Sequence, residues 1–348
     1  MKIISLFAGA GGMDLGFIQA GHQIIWANDN DPDCAATYQN NIGNHFVLAD
    51  IQDIDTQKIP ECDMVIGGFP CQGFSRANLK RAVGDERNTL YLEFIRVVQA
   101  KMPAYFIAEN VRGILSLDNG KVMELIMSDF VNIGYNVTYK LFNTADYGVP
   151  QIRMRVIILG VRKNLNPRKH PQFPEPTHSK DIGLFNQKSW ISISEALKNI
   201  PEPDDKTHQL LNHVCSKYKV TNRNFTGHRK TNPNKPSPTI LARGNGKGGV
   251  VAIQHPNNHR RMSVRESAII QTFPLDFEFF GNLGSMYRQV GNAVPVLFAK
   301  QIAQEFNQSF FATPPFHARR EAKRNEEREI HKSCVMIAYS IKTDYWIP

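Results

Sequence analysis

Ile3-Ile4-Ser5-Leu6-Phe7-Ala8-Gly9-Ala10-Gly11-Gly12-Met13 is the stretch from which the fold is read. Ile3 to Phe7 is a short apolar run, Gly9 to Gly12 a glycine turn, and Met13 to Ala20 has helical spacing. A strand that passes through glycines into a helix lets a ligand approach the backbone, and the helix N-terminus favours negative charge. The same alternation continues outward. Strands are predicted at Gln23 to Ala27, Phe46 to Ala49, Asp63 to Ile66, Tyr105 to Ala108, Asn136 to Phe142 and Arg155 to Val161. Helices are predicted at Asp31 to Asn41, Leu90 to Lys101 and Lys121 to Ile133. Alternating β and α argues an α/β, doubly wound, mostly parallel sheet of Rossmann-like type, whose ligands sit at the carboxyl edge of the strands.

The pattern changes near Asn164. Residues 164–262 are rich in Pro, Asn, Lys, His and short polar turns, and read as a smaller irregular domain. Helical periodicity returns from Arg261 to Phe306, while His317 to Lys332 is dense in charge. The expected division is therefore 1–163, 164–262, 263–308 and a tail at 309–348. Across 348 residues the net charge is +9, which favours a polyanionic partner. Five cysteines form no Cys-x-x-Cys and no even framework, so a reduced compartment is expected. No segment approaches the apolar length of a membrane span, and the apolar start is too short for a secretory signal.

Candidate chemistry sits at the predicted strand ends. Asp29 ends the second strand, where it can accept hydrogen bonds from ribose hydroxyls, and Asp50 ends the third, near an adenine amino group; either can instead cap a helix. Cys71 lies in Gly67-Gly68-Phe69-Pro70-Cys71-Gln72-Gly73-Phe74-Ser75, just past the fourth strand. A thiolate there is a soft, strong nucleophile. Glu109-Asn110 ends the fifth strand beside that turn. Gln151, Arg153 and Arg155 alternate, so they share one strand face, as a structural ion pair or as a clamp for an anion or carbonyl. Arg288-Gln289-Val290-Gly291-Asn292-Ala293-Val294-Pro295 reads as a second glycine turn, where the chain returns to complete the same pocket. His208, His213 and Cys215 are too loosely spaced for a zinc site.

Taken together, these segments resemble the DNA cytosine-5 methyltransferases, most closely the bacterial enzymes of type II restriction–modification systems. The matching segments are Phe7 to Gly12, Pro70-Cys71-Gln72, Glu109-Asn110-Val111, Gln151 to Arg155, Arg265-Glu266 with Gln271-Thr272-Phe273-Pro274, and Gly291 to Pro295. They occur in the family's order and cover about residues 1–308, with the variable basic segment where the family keeps its target-recognition domain. One departure is Phe69, where many relatives carry Pro.

The resemblance implies S-adenosyl-L-methionine as methyl donor and no metal. Phe7, Gly9, Gly11 and Pro70 would line its site, with Asp29 on the ribose, Asp50 and Ile51 on the adenine, and Leu90, Asn292 and Ala293 closing the pocket. It implies Cys71 as nucleophile on cytosine carbon 6, Glu109 at ring nitrogen 3, Arg155 on the carbonyl oxygen, and Arg153 in support. The target base must leave the duplex stack. Gln72, Ser75, Arg76 and Arg87 fall in the loop that closes on DNA in the family, and Arg229 and Arg243 are candidates for reading bases. The resemblance also implies a bacterial cytoplasmic monomer acting on double-stranded DNA and paired in function, without a stable complex, with a restriction endonuclease. The alternatives are a transfer-RNA cytosine-5 methyltransferase, against which the basic insertion argues, and a catalytically inactive DNA-binding regulator, against which the intact Cys71, Glu109, Arg153 and Arg155 argue.

Overall fold

The computed structural model describes residues 1–70, 89–165, 171–181, 187–203, 205, 209–216, 231–242, 252–256 and 260–310. Cys71, Gln72, Ser75, Arg76, Arg87, Arg229 and Arg243 lie outside the described residues, as do His208 and the charged segment 317–332.

Seven strands form one sheet: β1 (Lys2–Leu6), β2 (Gln23–Asp29), β3 (Phe46–Leu48), β4 (Met64–Gly67), β5 (Tyr105–Val111), β6 (Tyr135–Asn143) and β8 (Met154–Arg162). Their order is β3-β2-β1-β4-β5-β8-β6. The short β7 (Gln151–Ile152) pairs outside this sheet with Ser237–Pro238. Helices α1 (Gly12–Gln19), α2 (Pro32–Asn41), α3 (Thr89–Lys101) and α4 (Lys121–Asn132) connect the strands. After them come α5 (Ile193–Ala196), α6 (Val264–Ile270), α7 (Leu283–Asn292) and α8 (Val296–Phe310).

Successive residues of β1 point to opposite faces of the sheet, so both faces are buried. Ile3 joins Phe17 of α1, Tyr38 of α2 and Phe298 of α8 in one core. Ile4 and Leu6 join Phe94 of α3 and Phe130 of α4 in the other. A third cluster unites Ile193, Ile240 and Met262 with Val264, Tyr287 and Val296, and reaches Ala10 of the first turn. The segment expected as a separate irregular domain thus shares apolar packing with the helices that follow it.

The expected mostly parallel sheet is present, and its exception is β8, which runs antiparallel to both β5 and β6. The reason is visible between them: the link from β6 to β8 holds only the turn Thr144–Tyr147 and β7, with no crossover helix to return the chain to the same edge. Gly291-Asn292, expected in a turn, closes helix α7 instead. Glycine is needed there for space, since a Cβ at Gly291 would stand 2.5 Å from the backbone nitrogen of Ala242.

Candidate active site

The sheet's carboxyl edge is built around the first turn. Phe7 has φ 55°, Gly9 φ 55° and Gly11 φ 84°. For Phe7 this left-handed conformation is strained, a feature that clusters at ligand sites. The turn is pinned from β2: Ala8 N–H donates to Asn28 O at 2.9 Å, and Gly9 N–H donates to Asp29 Oδ2 at 2.9 Å. Asp29 Oδ1 also accepts from Asp31 N–H at 3.1 Å. Burial pushes the Asp29 carboxyl above its ordinary value, with these backbone donors working against that rise. Asp29 is not the cap of α2; Asp31 is, accepting from Asp33 and Cys34 N–H. Asp50 does cap a short turn at Ile51–Asp53, through Gln52 N–H. Asn28 Nδ2 donates to Val47 O and Ala49 O, which fixes Asp50 beside Asp29.

Phe7, Ile51 and Leu90, though far apart in sequence, pack against the same core on the α3 and α4 face. On the other side a Cβ at Gly12 would stand 2.6 Å from Val294 O and 3.0 Å from the Ala293 side chain. The return of the chain at Asn292-Ala293 therefore abuts the first turn. A strained glycine turn, a half-buried strand-end carboxylate and a small apolar wall fit a nucleoside with a cationic tail, which is the chemistry of S-adenosyl-L-methionine.

The second half of the site lies across β4, β5 and β8. Glu109 and Arg155 face the same side of the β5–β8 pair, and Glu109 Oε1 lies 2.6 Å from Arg155 Nε. Arg155 is the second residue of β8, yet it reaches the carboxyl edge of β5 because β8 is antiparallel, with Val111 opposite Arg155. A Cβ at Gly68 would meet Glu109 Oε2 at 2.9 Å, so the chain leaving β4 toward Cys71 runs against this carboxylate. Asn110 Nδ2 donates to Phe69 O at 3.0 Å. The Phe69 ring packs on Tyr91 and Phe94, with centroids at 5.5 and 5.9 Å. The departure from Pro at this position is thus filled by an aromatic cluster. Pro70, the last described residue before the nucleophile segment, is exposed.

Arg153, in the link between β7 and β8, has another role. It is fully buried, and it donates to Ile240 O at 2.9 Å, Gly291 O at 2.9 Å and Ala293 O at 3.0 Å. Burial, then the neighbouring Arg155, holds its guanidinium well below the usual arginine range. Gln151 joins the same brace: Gln151 Nε2 donates to Gln271 Oε1 at 2.7 Å, and Ile240 N–H donates to Gln151 Oε1. Sequence reasoning assigned no role to Gln271 or to the side chain of Asn110. Both stand in segments that carried the resemblance, but their partners are 120 and 41 residues distant. Nor did it find Arg96, which donates to Ile51 O and Ile54 O and so ties the Ile51–Asp53 turn to α3. The imidazole of His213 is engaged at both nitrogens, with Ser263 Oγ and Pro201 O.

An open sheet of this order with a glycine turn and an acid–arginine pair at its carboxyl edge is the frame of a nucleoside-cofactor methyltransferase. The sequence profile of the C-5 cytosine-specific DNA methylases matches residues 1–308, and the chain belongs to that family. It is an enzyme of DNA cytosine methylation. It is 38% identical over 335 residues to the Type II methyltransferase M.NgoFVII of Neisseria gonorrhoeae, covering 89% of this chain and 88% of that protein. It is 37% identical to M.FnuDI of Fusobacterium nucleatum, covering 89% and 95%. Among solved structures, a DNA modification methyltransferase encoded within an E. coli prophage aligns with TM-score 0.70 at 22% identity, covering 89% of this chain and 99% of that one. That likeness is one of fold. Among the described residues no helix is long and apolar enough to cross a membrane.

Proposed function

We propose that this chain is a sequence-specific DNA (cytosine-5-)-methyltransferase, EC 2.1.1.37, that works by base flipping and covalent catalysis through Cys71. The observation that carries the reading is the Glu109–Arg155 pair at 2.6 Å, set against the segment that leads from β4 into Cys71. Phe7, Gly9, Gly11, Asp29, Asp50, Ile51, Pro70, Leu90, Asn292 and Ala293 hold the cofactor. Bound there, S-adenosyl-L-methionine supplies an electrophilic methyl group for carbon 5.

Cytosine carbon 5 is too weak a nucleophile to take that group unaided. The Cys71 thiolate adds to carbon 6, while a proton shared between Glu109 and ring nitrogen 3 balances the electrons pushed onto the ring. Arg155 donates to the carbonyl oxygen, and its tie to Glu109 holds the two groups side by side. Arg153 and Gln151 hold the frame around them. Transfer of the carbon-5 proton to water, with expulsion of the Cys71 thiolate and return of the nitrogen-3 proton to Glu109, releases the methylated base. Residues 164–262, Arg229 and Arg243 among them, read the DNA, while Gln72, Ser75, Arg76 and Arg87 close on the strand from which the base is extruded. Extrusion costs a few kcal/mol, which phosphate contacts by the basic surface offset. The relatives' names, Type II methyltransferases, support a role in restriction–modification; the restriction endonuclease it pairs with acts on the same sites without a stable complex. The protein acts as a monomer in the cytoplasm.

The test is methyl transfer from labelled S-adenosyl-L-methionine to plasmid DNA and to bulk transfer RNA, by wild type and Cys71→Ser, with the DNA mapped by bisulfite sequencing. Cys71-dependent label at one short repeated sequence is expected. Label in transfer RNA alone overturns the reading.

A further inference from the structure

Ser5, Asp14 and Tyr38 form a buried polar cluster that the chemistry above leaves unused. Asp14 Oδ1 accepts from Ser5 Oγ at 2.7 Å, and Oδ2 accepts from Tyr38 Oη at 2.7 Å. The Tyr38 oxygen in turn faces His45 Nε2 at 3.1 Å. Three elements converge here. Ser5 lies in β1, two residues before Phe7; Asp14 lies in the first turn of α1; Tyr38 belongs to α2, just beyond Asp29. The cluster sits directly beneath the glycine turn. A Cβ at Gly11 would stand 2.9 Å from Tyr38 Cδ2 and 2.3 Å from Ile42 Cδ1, so the Tyr38 ring is the floor on which Gly11 rests.

A carboxyl group at 0% exposure is costly to bury, and apolar side chains of equal volume give as much stability. What a carboxyl with two hydroxyl donors supplies is direction: it fixes three elements at defined distances from one atom group. We propose that Asp14, held by Ser5 and Tyr38, is a positioning residue for the methyl-donor site, setting the height of the Gly9–Gly11 turn against Asp29. Gly9 N–H then meets Asp29 before the cofactor arrives, and binding need not pay to order the turn. The proposal rests on the cofactor reading of that turn.

The test is calorimetric titration of the full chain, without DNA, with S-adenosyl-L-homocysteine, the demethylated form of the donor. Tyr38→Phe keeps the ring and removes its hydrogen bonds to Asp14 and His45; Ser5→Ala removes the other hydrogen bond to Asp14 and serves if the first variant does not fold. Each is expected to raise Kd about fivefold, the cost of one net hydrogen bond to Asp14, and to raise KM for the donor with kcat unchanged. Tyr135→Phe is the control. It removes an equally buried tyrosine hydrogen bond, to Pro103 O at 2.7 Å, from the far edge strand β6. Its Tm should fall while its Kd stays that of wild type. Unchanged Kd in Tyr38→Phe and Ser5→Ala, or equal weakening in Tyr135→Phe, overturns the proposal. Wild type that does not bind S-adenosyl-L-homocysteine overturns the cofactor reading and this inference with it.

Discussion

Asp29 at the end of β2 and Glu109 near the end of β5 are carboxylates on one edge of one sheet, and their surroundings differ in kind. Asp29 is met by neutral backbone donors, Gly9 N–H at 2.9 Å and Asp31 N–H at 3.1 Å. Glu109 is met by a guanidinium, Arg155 Nε at 2.6 Å. The cause is strand direction. β1 and β2 are parallel, so only turns reach the carboxyl edge there, and turns bring N–H groups. β8 is antiparallel to β5, so its first residues arrive at the same edge with their side chains. Neutral dipoles suit a group that binds hydroxyls and then lets go. A cation beside the acid suits a group that faces changing charge during reaction.

The largest effect that tests this contrast is expected from Glu109→Gln. It keeps the size of the side chain and removes its acid–base capacity, so methyl transfer should fall about 10²- to 10⁴-fold. Binding of S-adenosyl-L-homocysteine should not change if, as proposed, the two carboxylates serve separate groups. Loss of both together would break the comparison.

Arg153→Met comes next. It leaves three carbonyls, of Ile240, Gly291 and Ala293, without their donor. At about 1 kcal/mol each this costs about 3 kcal/mol, read by urea denaturation. A variant that lost activity without losing stability would make Arg153 a reacting group rather than a brace.

The effect of pH sharpens the cofactor side. Burial raises the Asp14 carboxyl from 3.8 to about 6, against the pull of its Ser5 and Tyr38 donors. Between these values the folded state keeps a proton that the unfolded chain releases, so stability falls as pH rises through that window. The contribution is present below about pH 4 and gone above about pH 6, on the order of 3 kcal/mol or less. The check is the difference in ΔG of unfolding between wild type and Asp14→Asn at about pH 3.5 and about pH 7, either side of that window. A pH-independent difference would mean that Asp14 keeps one protonation state throughout.

Much of this was legible in the chain. Met64-Val65-Ile66 before Gly67, the glycines after Phe7, and the spacing of α3 are local patterns, and local patterns decide strands, turns and amphipathic helices. Asp29 could be assigned to a strand end for the same reason. The alternation of Gln151, Arg153 and Arg155 predicted one strand face, but Gln151 lies in β7 and Arg155 in β8, which belong to different sheets, with Arg153 in the link between them. It could not separate two arginines two residues apart, because their partners come from elsewhere: Glu109 for one, and carbonyls 87 to 140 residues away for the other. The helix at Gly291 was missed because glycine signals a turn in isolation, whereas here it admits the backbone of Ala242.

The sequence by itself determined the type and order of the elements, and the chemical character of the edge where they end, because these depend on neighbours within a few residues. Only the tertiary structure decided which way β8 runs, which arginine touches the acid, and that Asp14 stands beneath the glycine turn. Those outcomes depend on packing and burial between segments far apart in the chain, where hydrogen-bonding capacity must be satisfied by whatever the fold brings near.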